Sequence, residues 1–127
     1  MENGNTALAR NAYEAFDRGD VAAVLAAMTD DIQFNVPKAV PHGGKAQGHD
    51  EVGGFFQRLA DTWQDFGIDI ETILESGDRV VAIGQAHGTL DGVETGYGFV
   101  HSWRVRDGAL ARFDEYVDPA PELLAAA

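Results

Sequence analysis

The sequence predicts an α+β fold: three helices followed by a strongly curved, mostly antiparallel sheet that encloses a pocket. Three observations carry this. Apolar residues recur at helical spacing in three segments before Gly67, and they alternate with period two in nearly everything after it. The segments SGD, LDGVE and RDGA then punctuate the second half as three successive hairpin turns. At 127 residues, 45% of them hydrophobic, the chain is expected to form one domain, with enough apolar material for a core and a cavity.

The first helix is predicted over Thr6 to Arg18, with Leu8, Ala9, Ala12, Tyr13 and Phe16 on one face. Gly19 is expected to end it and Asp20 to cap the next. That second helix, VAAVLAAM, has the stripe Val21, Val24, Leu25 and Met28 and is expected to break at Asp30 and Asp31. IQFNVP reads as a short strand ended by Pro37, which has no N–H for a ladder. PKAVPHGGKAQG, residues 37–48, is the one long loop, and a loop over a cavity mouth can act as a lid. His42 would then lie at its rim, unless it faces solvent together with His49. The third helix is expected over His49 to Gln64, with Val52, Phe55, Phe56, Leu59, Ala60 and Trp63 as its stripe.

In the sheet region, GIDIETILES alternates with Ile68, Ile70, Thr72 and Leu74 on one side. In RVVAIGQAHGTL, Val81 and Ile83 share a face with Gln85 and His87, which are either a ligand-orienting patch or the strand emerging into solvent. The central strand is ETGYGFVHSWRVR. Its odd row is Thr95, Tyr97, Phe99, His101, Trp103 and Val105, an aromatic row with one ionisable group in it. LARFDEYV returns beside it, and PAPELLAAA is expected to be an extended or frayed end.

Composition excludes several classes of function. A net charge of -12 repels phosphate backbones and anionic lipid, so neither nucleic acid nor a membrane is an expected partner. The absence of cysteine removes disulfides, thiolate catalysis and sulfur-ligated metals. The four histidines show no HxxxH, HxH or HExxH spacing, so no metal site is expected. No apolar run is long enough for a membrane span, and MENGNTALAR lacks the basic start and apolar core of a signal peptide. A cytoplasmic protein is expected by default. Neither a phosphate-binding glycine loop after a strand nor a nucleophile elbow is present.

His101 is the strongest candidate for chemistry. Between Phe99 and Trp103 its imidazole should be desolvated and neutral, able to take a proton or to donate a hydrogen bond. Its partner depends on the last hairpin. A three-residue loop with Gly108 in the left-handed conformation sets His101 opposite Phe113 and turns Ala111, Phe113, Glu115 and Val117 inward. A two-residue Asp107-Gly108 turn would turn Leu110, Arg112, Asp114 and Tyr116 inward instead. The first row is more apolar and buries one charge rather than two, so it is the expected one, with Glu115 orienting His101. Tyr13, Phe34, Phe56, Trp63, Gln85, His87, Phe99, Trp103 and Phe113 complete the expected substrate-binding set.

The segments FDRGDVAAVLAAMTDDIQF, PHGGKAQGHDEVGGFF and FVHSWRVRDGALARFDEYVDP resemble, in order, the SnoaL-like and ketosteroid-isomerase-like branch of the NTF2-like superfamily. The resemblance implies a cone of bent sheet and helices, often dimeric, whose members include isomerases, polyketide cyclases, dehydratases and epoxide hydrolases. Ketosteroid isomerisation needs an aspartate base, with a tyrosine and a protonated acid in the oxyanion hole. The resemblance puts the tyrosine on Ala12, one residue from Tyr13, the base on Val36 and the acid on His101. Two of the three roles are unfilled, which disfavours classical steroid isomerisation. The expected protein is therefore a cofactor-free isomerase, cyclase, hydrolase or dehydratase acting on a hydrophobic carbonyl or epoxide metabolite, with His101 as base or donor. The alternative is a non-catalytic module that binds an apolar ligand or dimerises. A homodimer through the outer row Val100, Ser102 and Arg104 is expected in either case.

Overall fold

The computed structural model describes residues 4–118, so the segment PAPELLAAA lies outside the described residues. The order is α1 (Gly4–Asp17), α2 (Val21–Ala26), β1 (Met28–Val36), β2 (Gly44–Gln47), α3 (Gly48–Thr62), β3 (Gln64–Ser76), β4 (Arg79–Leu90), β5 (Val93–Arg106) and β6 (Ala109–Asp118). Three helices pack on one curved, unclosed six-stranded sheet of order β2-β1-β6-β5-β4-β3. All neighbours are antiparallel except β1 and β6, which run parallel.

The helical half follows the sequence closely. Gly19 leaves α1 with a φ of 75°, and the Asp20 carboxylate accepts from the Ala23 N–H at 3.1 Å. The second helix stops earlier than expected. Met28 belongs to β1, because the chain there is claimed by β6: Leu110 N–H donates to Ala27 O at 2.8 Å, and Met28 pairs with Leu110. Asp30 and Asp31 lie on the exposed side of that strand, where Asp31 meets Arg106 at 2.6 Å. Part of the expected long loop is also a strand, β2, paired with β1 through Phe34 and Ala46. On α3, Val52, Phe55 and Leu59 are buried, while Ala60 is exposed.

The sheet departs from simple alternation at four register shifts, two of which are bulges that decide its inner face. Between Ile70 and Thr72 the pairing of β3 slips by one residue. Ile68, Ile70 and Ile73 therefore pack against the core, and Thr72 and Leu74 turn outward, contrary to the expected row. On β4 the inward residues are Val80, Ala82, Gly84 and Ala86, not Val81, Ile83, Gln85 and His87. Size decides this face: Ala82, Gly84 and Ala86 pair with His101, Phe99 and Tyr97, so small residues lie beside rings. At Gly84 even one added carbon would lie 2.9 Å from the Phe99 ring.

The second bulge sets the site. Asp107 and Gly108 have φ of 51° and 76°, the two-residue turn rather than the three-residue loop. Taken alone, that turn would face Arg112 and Asp114 inward. Register shifts between Arg104 and Val105, leaving Ala111 unpaired, and the strand flips over. Leu110 then points inward before the bulge, and Phe113 and Glu115 after it. Phe113 and Glu115 of the expected row are recovered by a different route, with Leu110 in place of Ala111, and His101 pairs with Glu115 rather than with Phe113.

Candidate active site

The helices and the concave sheet face enclose a cavity of about 70 Å³. Its wall is largely aromatic, including Phe34, Phe55, Phe56, Phe66, Tyr97 and Phe113. Ligand pockets typically measure ~300–1,000 Å³. The unliganded space therefore suits a small, flat molecule, or a larger one that displaces rings. Phe16, Phe56, Phe66 and Ile68 are half-buried and mark the side where the lining reaches solvent.

Four side chains at the cavity floor form one hydrogen-bonded chain. Trp103 Nε1–H donates to the Tyr13 hydroxyl oxygen at 2.8 Å. Tyr13 Oη and His101 Nδ1 are 2.7 Å apart, and His101 Nε2 and Glu115 Oε2 are also 2.7 Å apart. Burial outweighs the nearby carboxylate and lowers the His101 pKa, so the ring is neutral and carries one hydrogen. With that hydrogen on Nε2, facing the carboxylate, Nδ1 accepts from the Tyr13 hydroxyl and every donor in the chain has an acceptor. Burial raises the Tyr13 pKa, so its hydroxyl stays protonated. Phe99 stacks on His101 with centroids 3.9 Å apart, and Tyr13 lies nearly parallel to the imidazole at 5.7 Å. The imidazole is held by rings and capped at both nitrogens.

One atom of the chain is left over. Glu115 Oε1 is buried and has no hydrogen-bond partner, although Glu115 lines the cavity. Leaving a buried carboxylate oxygen unpaired costs free energy, and groups that retain such a cost are concentrated at functional sites.

The predicted residues divide into three groups. Tyr13, Phe34, Phe56, His101, Trp103, Phe113 and Glu115 line the cavity. Phe99 and Trp63 stand behind that lining, where they back His101 and His42. Gln85 and His87 lie on the outer face, so they are the strand emerging into solvent; His87 Nε2 meets Asp69 at 3.2 Å there. Val36, on which the resemblance places a base, is an apolar part of the wall. The reading missed that His42 is buried in the wall, neither at a rim nor in solvent. The spacing of His42 to Trp63 holds no signal for this contact. His49, by contrast, reaches the carbonyl of Met28 at 3.1 Å. Among the described residues no group of three or more His, Asp or Glu side chains could hold a metal ion. No helix there is long and apolar enough to cross a membrane.

A half-open sheet with an aromatic cavity and buried polar groups at its floor defines a small-molecule pocket protein. The chain belongs to the SnoaL-like domain family, whose profile matches residues 9–113. It is similar to the crystal structure of an NTF2-like protein of unknown function from Burkholderia pseudomallei, with 31% identity over 92% of each chain and a TM-score of 0.86. TerC co-crystallised with polyporic acid shares 27% identity over 91% of this chain and 92% of its own, with a TM-score of 0.83. A putative polyketide cyclase from Xanthomonas campestris shares 26% identity over 91% of this chain and 90% of its own, with a TM-score of 0.75. Among curated proteins none matches.

Proposed function

We propose that this protein is a cofactor-free acid–base catalyst for a small, largely apolar substrate bearing a carbonyl or epoxide group. The observation that carries the reading is the unpartnered Glu115 Oε1 on a largely aromatic cavity wall. Both His101 nitrogens are engaged, so the imidazole has no lone pair or hydrogen left for a substrate. The roles read from sequence are thereby exchanged: Glu115 takes the proton, and His101, Tyr13 and Trp103 position it. For an enolisable substrate, Oε1 takes a hydrogen from the carbon next to the carbonyl. The C–H electron pair becomes a carbon–carbon double bond, and the carbonyl pair moves onto oxygen. Returning the proton to another atom completes an isomerisation; attack of the enolate carbon on a second carbonyl, with the proton passed from Glu115 to the alkoxide so formed, completes a cyclisation. With an epoxide, Oε1 would instead deprotonate a water whose oxygen bonds to a ring carbon; the ring C–O pair stays on the epoxide oxygen, which takes the proton from Glu115 to give a diol.

Glu115→Gln keeps the shape and a hydrogen-bonding group opposite His101 but removes the base. Turnover of enolisable aryl ketones, followed as loss of α-hydrogen to deuterium by NMR, should fall by about 10²–10⁴ with the circular dichroism unchanged. Retained exchange would sink the assignment.

A binding role without turnover is favoured by the apolar wall, and by the similarity to TerC, which was co-crystallised with polyporic acid. Saturable binding of polyporic acid, with no exchange at any enolisable probe in the unaltered protein, would select that role. We also propose a homodimer through the outer sheet face, where Leu74, Ile83 and Tyr116 are 56%, 36% and 62% exposed beside Val100 and Arg104. Sedimentation should give twice the chain mass, reduced to a single chain by Ile83→Arg; a single-chain mass for the unaltered protein would refute it.

A further inference from the structure

The chemistry above leaves two buried ionisable side chains of the cavity unused, Tyr97 and His42, and only His42 has its hydrogen placed by a hydrogen-bond partner. His42 is 3% exposed, packs its ring against Phe55 and Phe66, and lines the cavity. A closed loop delivers it there: Val40 N–H donates to Pro37 O at 3.3 Å, and Gly43 N–H to Val40 O at 2.9 Å. The turn is tight enough that a carbon added at Gly43 would lie 2.0 Å from Pro37 O.

The state of the imidazole follows from its one hydrogen bond. Trp63 Nε1–H donates to His42 Nδ1 at 3.0 Å. An indole nitrogen only donates, so Nδ1 bears no hydrogen and the single hydrogen of the neutral ring is on Nε2. Burial lowers the His42 pKa to about 4, the Glu115 charge opposing it more weakly, so this neutral form holds at neutral pH. Among the described residues no group accepts from Nε2. The ring itself lines the cavity, so this N–H is the His42 group left for a ligand there.

We infer that His42 Nε2–H is the donor for the ligand's oxygen, so that the cavity takes a carbonyl compound with its oxygen at His42 and its acidic C–H at Glu115 Oε1. The inference rests on the acid–base reading only for the second half of that pose; the oxygen subsite stands without it. A neutral, preorganised donor contributes more as charge grows on the oxygen, so His42 would hold an enolate more tightly than the carbonyl from which it forms. Its position also selects against plain hydrocarbons and against groups that only donate, which would leave this N–H without an acceptor. Glu115 would take the proton while His42 stabilises the oxygen that receives the electron pair, and no other reactant is required.

The probe is acetophenone labelled with carbon-13 at its carbonyl, added to protein labelled with nitrogen-15 in its histidines. In the unaltered protein, saturation should move the His42 Nε2–H proton downfield and lower the carbonyl stretch below its value in hexane. His42→Phe should abolish the stretch shift and weaken binding by about tenfold, the size of one neutral hydrogen bond. His42→Gln, whose carbonyl can accept from Trp63 while its amide donates, should restore part of both. Glu115→Gln should leave both shifts in place while deuterium exchange stops, which separates the two assignments. An unmoved Nε2–H resonance with acetophenone bound, equal affinity in His42→Phe, or no saturable binding at millimolar acetophenone would each overturn the inference. The first and last of these need no variant to fold.

Discussion

The cavity holds two buried histidines, one in its floor and one in its loop wall, and they differ in how many ring nitrogens the protein occupies. In the floor, His101 is bound at Nδ1 by Tyr13 and at Nε2 by Glu115, between elements brought together from α1, β5 and β6. In the wall, His42 is bound only at Nδ1, by the Trp63 indole. A ring closed at both nitrogens transmits orientation and passes the reacting role to the group beyond it. A ring closed at one nitrogen has its tautomer set and its other nitrogen left for a ligand. Burial, which both share, does not separate the two roles; the count of unoccupied polar atoms does.

The contrast can be broken first at Tyr13. Tyr13→Phe leaves both the Trp103 N–H and His101 Nδ1 buried without a partner, and each such group costs roughly 1–3 kcal/mol. Unfolding in urea should show a loss of about 4 kcal/mol, against about 2 kcal/mol for Trp63→Phe, which orphans the single acceptor on His42. Equal losses would mean that the floor chain is not a connected unit.

Acid comes next. The folded pKa of His42 lies near 4, below its unfolded value, so the unfolded state binds the extra proton between about pH 6.5 and 4. The stability this group contributes is fully present above pH 6.5 and is lost as pH falls through that window, by about 3 kcal/mol at its lower end. The lowered pKa of His101 acts in the same direction. Thermal melts from pH 7 to 4 should show a decline that His42→Gln makes shallower; an unchanged slope would place the titration elsewhere.

A smaller effect is expected at Gly43→Ala. Its new carbon must push against Pro37 O, costing about 1–3 kcal/mol and shifting His42 while leaving the floor chain intact. The Trp63 and His42 resonances should move, and those of Tyr13 and His101 should stay. At the bottom of the scale, Gln85→Ala and His87→Ala should change stability by under about 0.5 kcal/mol and leave acetophenone affinity unaltered, because both side chains are on the outer face.

Local patterns made the helices legible. Gly19 and Asp20 mark the α1–α2 junction, and the 3.6-residue stripe of α3 puts Val52, Phe55 and Leu59 inside. The alternation of β5 likewise placed Tyr97, Phe99, His101 and Trp103 on the buried face. The faces of β3 and β4 were misread for a shared reason. Hydrophobicity favoured Val81, Ile83, Thr72 and Leu74, but the inner face of β4 is set by fit against the neighbouring rings, and that of β3 by a bulge. Both depend on the partner strand, which alternation within one segment does not contain. Tyr13 was expected to line the pocket, but its bonds to His101 and Trp103 were not legible, because those partners lie 88 and 90 residues away.

By itself, then, the sequence determined that β5 buries an aromatic row with His101 in it, since period-two alternation needs only the strand's own geometry. It also determined that the chain reverses at RDGA, although the three-residue loop was expected there and Asp107 and Gly108 form the two-residue turn. Only the tertiary structure decided what those features do. One unpaired residue, Ala111, turns β6 over and sets Glu115 opposite His101. Packing of α1 brings the Tyr13 hydroxyl to the second nitrogen. The physical reason is that a hydrogen bond is satisfied or left open by groups from distant segments, so which polar atom remains available to a ligand becomes defined only when those segments meet.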